Sequence, residues 1–286
     1  MPRLNEVSFS ESVAAIFYSA PGVGKTDLFG SAGSRSLIIG SPTGLVTLQN
    51  PSFRRRYPGC NPFIEIVTPD EDPSQSNAYD KMTNIINNYL TTKSSEFDNI
   101  IIDDSSFLNM QAMNKAVGIN FMEQRSQSKS KIGKYSIILP TMADFGTQMS
   151  LVEGFLINLV STCKIHKKHL LVGCHEKNVY KKDKKTNEET LIRIAPLFTG
   201  RAAPESIGRD FDLIFRITRV GKEPSWTKRF QCHPDDIIAA KDRYSTFKVV
   251  EDNLDWPKIL KRVHDALPAL EDPTTSGGSS SSQVEV

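Results

Sequence analysis

Ser19-Ala-Pro-Gly-Val-Gly-Lys-Thr26 is the stretch of this chain whose residue types and spacing most clearly specify chemistry. It follows the apolar run Val13–Tyr18 and precedes the helix-compatible Asp27-Leu-Phe, the strand–loop–helix context that a phosphate-binding P-loop requires. Gly22 and Gly24 let the backbone turn its N–H groups inward around an anion. A helix starting near Lys25 aims its positive end at the same place. Lys25 can reach β- and γ-phosphates, and the Thr26 hydroxyl can ligate Mg²⁺. Ser19, Ala20, Pro21, Gly22, Val23, Gly24, Lys25, Thr26 and Asp27 therefore form the candidate cradle for ATP. The first position departs from the common pattern, with Ser19 where a glycine is usual. The bland alternative is a Gly-rich turn that happens to precede a lysine; the flanking strand and helix argue against it.

A P-loop needs a distant acid for its Mg²⁺. Phe97-Asp-Asn-Ile-Ile-Ile-Asp-Asp-Ser-Ser106 supplies one: Ile100, Ile101 and Ile102 read as a buried strand, and Asp103 closes its C-terminal end, the edge at which open α/β sheets bind ligands. Asp103 is the candidate metal acid beside Thr26. Asp104 either polarises an attacking water or caps the following helix, since Asp-Ser-Ser is good capping chemistry. The run His169-Leu-Leu-Val-Gly-Cys-His175 also ends in a polar residue. His175 could sense a γ-phosphate or position water; otherwise it is a partly buried histidine satisfied by backbone. Cys163, His166, His169, Cys174 and His175 match no common zinc spacing, and a strand would splay several of them apart.

These residues need a sheet to hold them. Strands are expected at Ala14–Tyr18, Ser36–Gly40, Phe63–Val67, Asn99–Asp103, His169–Cys174 and Phe211–Thr218, with helices over 77–92, 106–122 and 145–163. This alternation predicts an α/β fold with a mostly parallel central sheet flanked by helices. After a turn at Gly221–Pro224, Trp226–Cys232 and Ser245–Val250 read as C-terminal antiparallel strands. A last helix is expected from near Asp255, with Pro257 tolerated in its first turn. No internal repeat is visible. The expected organisation is an N-terminal arm over 1–11, a core over 12–250, a C-terminal helical segment over 251–270 and a disordered Ser-rich tail over 271–286.

Composition narrows the classes. The 286 residues are 38% hydrophobic, enough for a real core, and the net charge of +2 gives no global basic field for nucleic acid. The four cysteines are scattered without a C-x-x-C pair, which suggests reduced thiols and a cytoplasmic setting. No apolar run approaches the roughly 18 residues that a membrane span needs.

Taken together, the P-loop, the isoleucine-flanked Asp103, Val172-Gly-Cys-His-Glu-Lys177, Pro196-Leu-Phe-Thr-Gly200, Phe211-Asp-Leu-Ile-Phe-Arg216 and Ala240-Lys-Asp-Arg243 resemble the RecA lineage of P-loop NTPases. More narrowly, the chain resembles the phage nucleotide-binding proteins of that lineage, the Sak-type single-strand annealing ATPases, over about residues 12–250. The resemblance implies a RecA-like ATPase that takes ATP and Mg²⁺, assembles into homo-oligomers with nucleotide between subunits, and binds single-stranded DNA in phage annealing or recombination. It also implies that Lys241 and Arg243 form a finger offered to a neighbour's γ-phosphate, although both would equally suit an exposed turn. Relatives often carry a glutamate near the end of the second strand; here Gly40-Ser-Pro-Thr-Gly44 stands in that place, which leaves Asp104 as a substitute base.

In that lineage the DNA-contacting loops follow the metal-acid helix and the strand ending at His175. Both places are basic here. Arg125, Lys129, Lys131 and Lys134 fall in an acid-free part of 124–140, and Lys181, Lys182, Lys184 and Lys185 in 176–193, where a hairpin turning at 185–187 is the structural alternative. Lysines and arginines would neutralise phosphates, and Tyr135 and Tyr180 could stack on bases. The acidic residues of the tail could recruit a single-strand DNA-binding protein. The competing function is a P-loop motor or nucleotide-switched scaffold that acts on protein partners without touching DNA.

Overall fold

The computed structural model describes residues 11–68, 77–122, 128–132, 135–183, 186–198, 203–222 and 226–267. In chain order the elements are β1 (Ala14–Ser19), α1 (Lys25–Gly30), β2 (Ser36–Gly40), α2 (Pro42–Leu45), α3 (Pro51–Arg56), β3 (Phe63–Ile66), α4 (Ala78–Thr92), β4 (Asn99–Asp103), α5 (Ser105–Met122), β5 (Ser128–Ile132), β6 (Tyr135–Leu139), α6 (Met142–Ile165), β7 (His169–Lys182), β8 (Glu189–Pro196), α7 (Ala203–Asp210), β9 (Leu213–Val220), β10 (Thr227–Gln231), β11 (Lys241–Asp242), β12 (Val250–Asp252) and α8 (Trp256–Ala266).

The main sheet runs β12-β10-β9-β1-β7-β4-β2-β3, with β8 on β7 and β11 on β9. The pairs from β9 to β3 are parallel, and β10, β11, β12 and β8 join antiparallel. This is the expected α/β architecture with C-terminal antiparallel strands. Period-two alternation divides the core between the two faces. Ile16, Tyr18, Ile100, Ile102 and Val172 pack with α4, α5 and α6, while Phe17, Ile101 and Leu171 pack with α1, α3 and α8. Trp256 of α8 lies 6.2 Å from Phe17, edge to face, and its indole N–H donates to the Asn99 side chain at 2.8 Å.

Several expectations need correction. Ser245–Val250 is not a strand. The Asp242 carboxylate accepts the backbone N–H groups of Tyr244, Thr246 and Phe247, and Ser245 takes a positive φ of 54°, so the chain curls until β12 begins. The strand expected at Phe211–Thr218 begins at Leu213, because Asp212 is used in the turn, where both its backbone N–H and its carboxylate bond to Ala14. The stretch 124–140 is not simply a basic loop: it contains the antiparallel pair β5–β6. The strand expected to stop at Cys174 continues to Lys182 and forms an arm with β8. Most of the expected N-terminal arm and the whole expected tail lie outside the described residues. The four cysteines are free, and among the described residues no helix is long and apolar enough to cross a membrane.

Candidate nucleotide-binding site

Two strand ends meet beside the middle of a third strand. β1 ends at Ser19 and runs in register with β7, so that Ser19 faces His175; β7 in turn separates β1 from β4, which ends at Asp103. Alternation fixes the faces. Asp103 follows Ile102 and so turns toward α1, as does Gly173 on the intervening strand. A Cβ on Gly173 would stand 3.4 Å from Asp103 Oδ1 and 3.0 Å from the Phe29 ring, so glycine there leaves the passage through which α1 and β4 meet.

The Thr26 hydroxyl donates to Asp103 Oδ2 at 2.7 Å. Asp103 is 3% exposed, and burial pushes its carboxyl up to about 6 despite the Thr26 hydrogen bond and the nearby Lys25. Lys25 is buried as well. Its ammonium donates to Ser19 Oγ at 3.1 Å and Ser19 O at 3.4 Å, and burial lowers its pKa from the ordinary lysine value. Gly22 and Gly24 hold φ values of 76° and 106°, where a side chain is strained, and the space beside Gly22 is open. Helix α1 is only six residues long, so the cradle rests on these glycine peptides and on Lys25 more than on a helix terminus. The donor set fits Mg²⁺ and a triphosphate: two hard oxygens meet in a buried spot, an ammonium sits beside a loop with no Cβ at its bends, and Asp103 supplies the charge.

Of the two roles considered for Asp104, the structure shows the helix cap, and its second oxygen holds a histidine rather than facing open space. Its Oδ1 accepts the N–H groups of Ser106 (2.9 Å) and Phe107 (3.2 Å), capping α5, while Oδ2 lies 3.1 Å from His175 Nε2. The Asp103–Asp104 peptide is cis. The other ring nitrogen of His175, Nδ1, is buried without a hydrogen-bond partner. Asp104 thus orients a histidine at the mouth of the site, and no carboxylate oxygen is left over. At Gly40 a Cβ would stand 2.2 Å from the Asp103 carbonyl oxygen, so this position beside Asp103 carries no side chain.

The zinc candidates do not gather. His169 Nδ1 accepts the Val13 N–H, Cys174 lies against Leu197 O, and among the described residues no three His, Cys, Asp or Glu side chains could hold a metal together.

Sequence reasoning missed Lys228 and Arg56. Both cations pair with Asp27, and the Lys228 Cε stands 3.2 Å from where a Gly24 Cβ would be. The one sequence signal is that Lys228 shares with Phe230 the inward parity of β10, an unusual place for a lysine.

Lys241 and Arg243 are not brought to this cluster. Lys241 pairs with Ile214 and the Arg243 N–H bonds to Asp212 O, at the start of β9, whereas the phosphate loop leaves the far end of the parallel β1. Lys241 Nζ donates to the carbonyls of Gly208, Arg209 and Phe211, and Arg243 Nη1 binds the buried Asp212 at 2.6 Å.

Of the basic candidates, Lys181 and Lys182 are exposed near the tip of the β7–β8 arm, opposite Thr190 and Glu189, and Tyr180 beside them is 52% exposed. Lys129 and Lys131 fall on β5. Arg125, Lys134, Lys184 and Lys185 lie outside the described residues.

No protein-family model and no curated protein matches the chain. Among solved structures it is similar to a KaiC-like protein from Pyrococcus horikoshii OT3, at 10% identity over 76% of each chain with a TM-score of 0.36. It is also similar to the RadB recombinase, at 15% identity over 86% of this chain and 93% of that one, with a TM-score of 0.37. Likeness at this level carries no inference about function.

Proposed function

We propose that this chain is an ATP-binding protein of the RecA-like kind that takes Mg²⁺–ATP between the Ser19–Asp27 loop and Asp103. The observation that carries the reading is the 2.7 Å contact between the Thr26 hydroxyl and the Asp103 carboxylate, two residues 77 positions apart that both suit Mg²⁺. The metal would supply charge neutralisation at the phosphates. Thr26 and Asp103 would hold it, directly or through its water shell. Lys25 would exchange its Ser19 contacts for phosphate oxygens, and the Gly22–Gly24 peptides would complete the cradle. In hydrolysis His175 would position or deprotonate water through Nε2, released from Asp104, since its Nδ1 is buried.

The larger role we propose is recombination-type single-strand DNA binding by an assembled form, in a phage annealing context. It is supported by the sequence resemblance and by the exposed Tyr180-Lys-Lys182 arm. Arg243, part-exposed and far from its own loop, would serve a neighbouring copy; Lys241 is spent on carbonyls. A single-strand DNA-binding protein recruited by the tail belongs to the same reading. The nucleotide-switched scaffold is the second reading, favoured by the engagement of Asp104 and by Gly40, which removes a side chain beside the metal acid. ATPase assays with and without single-stranded DNA, with light-scattering mass under both conditions, separate them. DNA-stimulated turnover and salt-sensitive DNA binding support the first; turnover no higher than that of Lys25→Ala supports the second.

A further inference from the structure

Beside the phosphate loop lies a cavity of about 510 Å³, lined among others by Asp27, Arg56, Tyr57, Trp226, Lys228 and Asp255. Its size falls within the range of about 300–1,000 Å³ usual for small-ligand pockets. It is joined to the loop by two residues. Asp27 directly follows Thr26, and Lys228 both lines the cavity and reaches alongside Gly24. Asp27 next to a phosphate site would be repulsive by itself. Here its carboxylate is paired with Lys228 and Arg56, which leaves the trio with one net positive charge at the boundary between loop and cavity. The Lys228–Asp27 pair is sheltered as well, its side chains 11% and 13% exposed, while Arg56 is 49% exposed.

The cavity walls are amphipathic. Trp226 is braced on one face by the Arg219 guanidinium, 4.0 Å from the ring centroid. Tyr57 is held by Phe53, with ring centroids 5.2 Å apart. Asp255 caps α8 with one oxygen and pairs with Lys258 through the other. Fixed aromatic surfaces ringed by polar and charged groups suit a planar heterocycle carrying hydroxyl groups.

We infer that this cavity takes the base and ribose of the nucleotide, with Trp226 as the stacking surface and the Asp27–Lys228–Arg56 cluster as the boundary where nucleoside meets phosphate. The inference rests on the phosphate-loop reading above and adds the half of the ligand that the loop motif does not address.

The test is calorimetric titration of the full chain with ATP and, separately, with inorganic tripolyphosphate, both with Mg²⁺. Trp226→Ala weakens ATP by about tenfold and leaves tripolyphosphate within twofold of wild type, since stacking is lost and the phosphate contacts are not. Trp226→Phe retains most of the ATP affinity. It also abolishes the quench of tryptophan emission that ATP, but not tripolyphosphate, produces in the wild type, a readout that stands even if the alanine variant misfolds. Unchanged ATP affinity in Trp226→Ala, equal losses for both ligands, or an ATP quench that survives in Trp226→Phe would overturn the inference. Wild-type protein that binds tripolyphosphate as tightly as ATP sinks the cavity assignment alone. Wild-type protein that binds neither sinks the phosphate-loop reading and this inference with it.

Discussion

Thr26 and Asp103 share a hydrogen bond of 2.7 Å although the strands that lead to them are not neighbours: β7 runs between β1, which precedes α1, and β4, and the contact crosses over Gly173. A helix residue and a strand-end residue thus meet across an intervening strand, the arrangement on which the proposed Mg²⁺ site rests. The geometry depends on strand order and on the absence of one side chain, and both can be probed.

Asp103→Asn keeps an acceptor for the Thr26 hydroxyl and removes the charge. The variant should fold and lose the metal's contribution, weakening Mg²⁺–ATP binding by about tenfold or more. Titrations with Mg²⁺ and with EDTA read this directly: wild type weakens when the metal is removed, and the variant behaves alike in both. A variant that keeps the full Mg²⁺ effect would place the metal elsewhere.

Gly40→Ala should destabilise the protein by about 2–3 kcal/mol, the cost of overpacking a site that cannot relax. The added Cβ would stand 2.2 Å from the Asp103 backbone oxygen, so β2 and β4 must separate where they hold Asp103. Chemical denaturation gives the stability change, and ATP affinity should fall with it. An alanine variant as stable as wild type would show that the strand ends yield more easily than the backbone contact implies.

Arg243 should be dispensable for nucleotide binding and needed for turnover. If it serves a neighbouring copy, Arg243→Ala and Lys25→Ala are each inactive alone and recover ATPase activity when mixed, since one supplies an intact loop and the other an intact arginine. Absence of recovery, with both variants folded and assembled, would reduce Arg243 to an anchor for Asp212 at the start of β9.

His169 makes stability fall with acid. Burial, with His264 nearby, pushes its pKa down to about 4, and its Nδ1 accepts the Val13 N–H. A histidine depressed in the folded state leaves the unfolded chain to take the proton first. Stability is therefore full above about 6.5 and is lost as pH falls toward 4, by up to about 3 kcal/mol. Urea midpoints at pH 7 and pH 4.5 should separate strongly in wild type and less in His169→Asn, where the amide oxygen keeps the hydrogen bond without titrating. Equal pH dependence in both proteins would assign the effect to another group.

The glycine-bearing loop between strand and helix, the buried isoleucine strand and the place of Asp103 at its end were legible because each is local. Glycine spacing sets a loop, period-two burial sets a strand, and a strand's last residue lies at the ligand edge. The helices over 77–92 and 106–122 were legible from composition and periodicity for the same reason, and both ran within one residue of expectation. The curl at 242–247 was not, because three N–H groups on one carboxylate outweighed an apolar run that reads as strand. Nor was the β5–β6 pair, whose basic residues suggested an open loop.

What the amino-acid order determined alone is the chemistry available: an anion-cradling bend, a hydroxyl, an ammonium and a carboxylate at the ends of short-range elements. Which groups meet was decided by strand order, a long-range property. Placing β7 between β1 and β4 brings His175 to Asp104 and lets Asp103 pass over Gly173 to Thr26. Adding β10 beyond β9 carries Lys228 to Asp27, 201 residues away. The same order sends Lys241 and Arg243 to the start of β9, at the opposite end of the parallel strands, because an antiparallel return on β9 reverses the direction in which the chain meets the sheet.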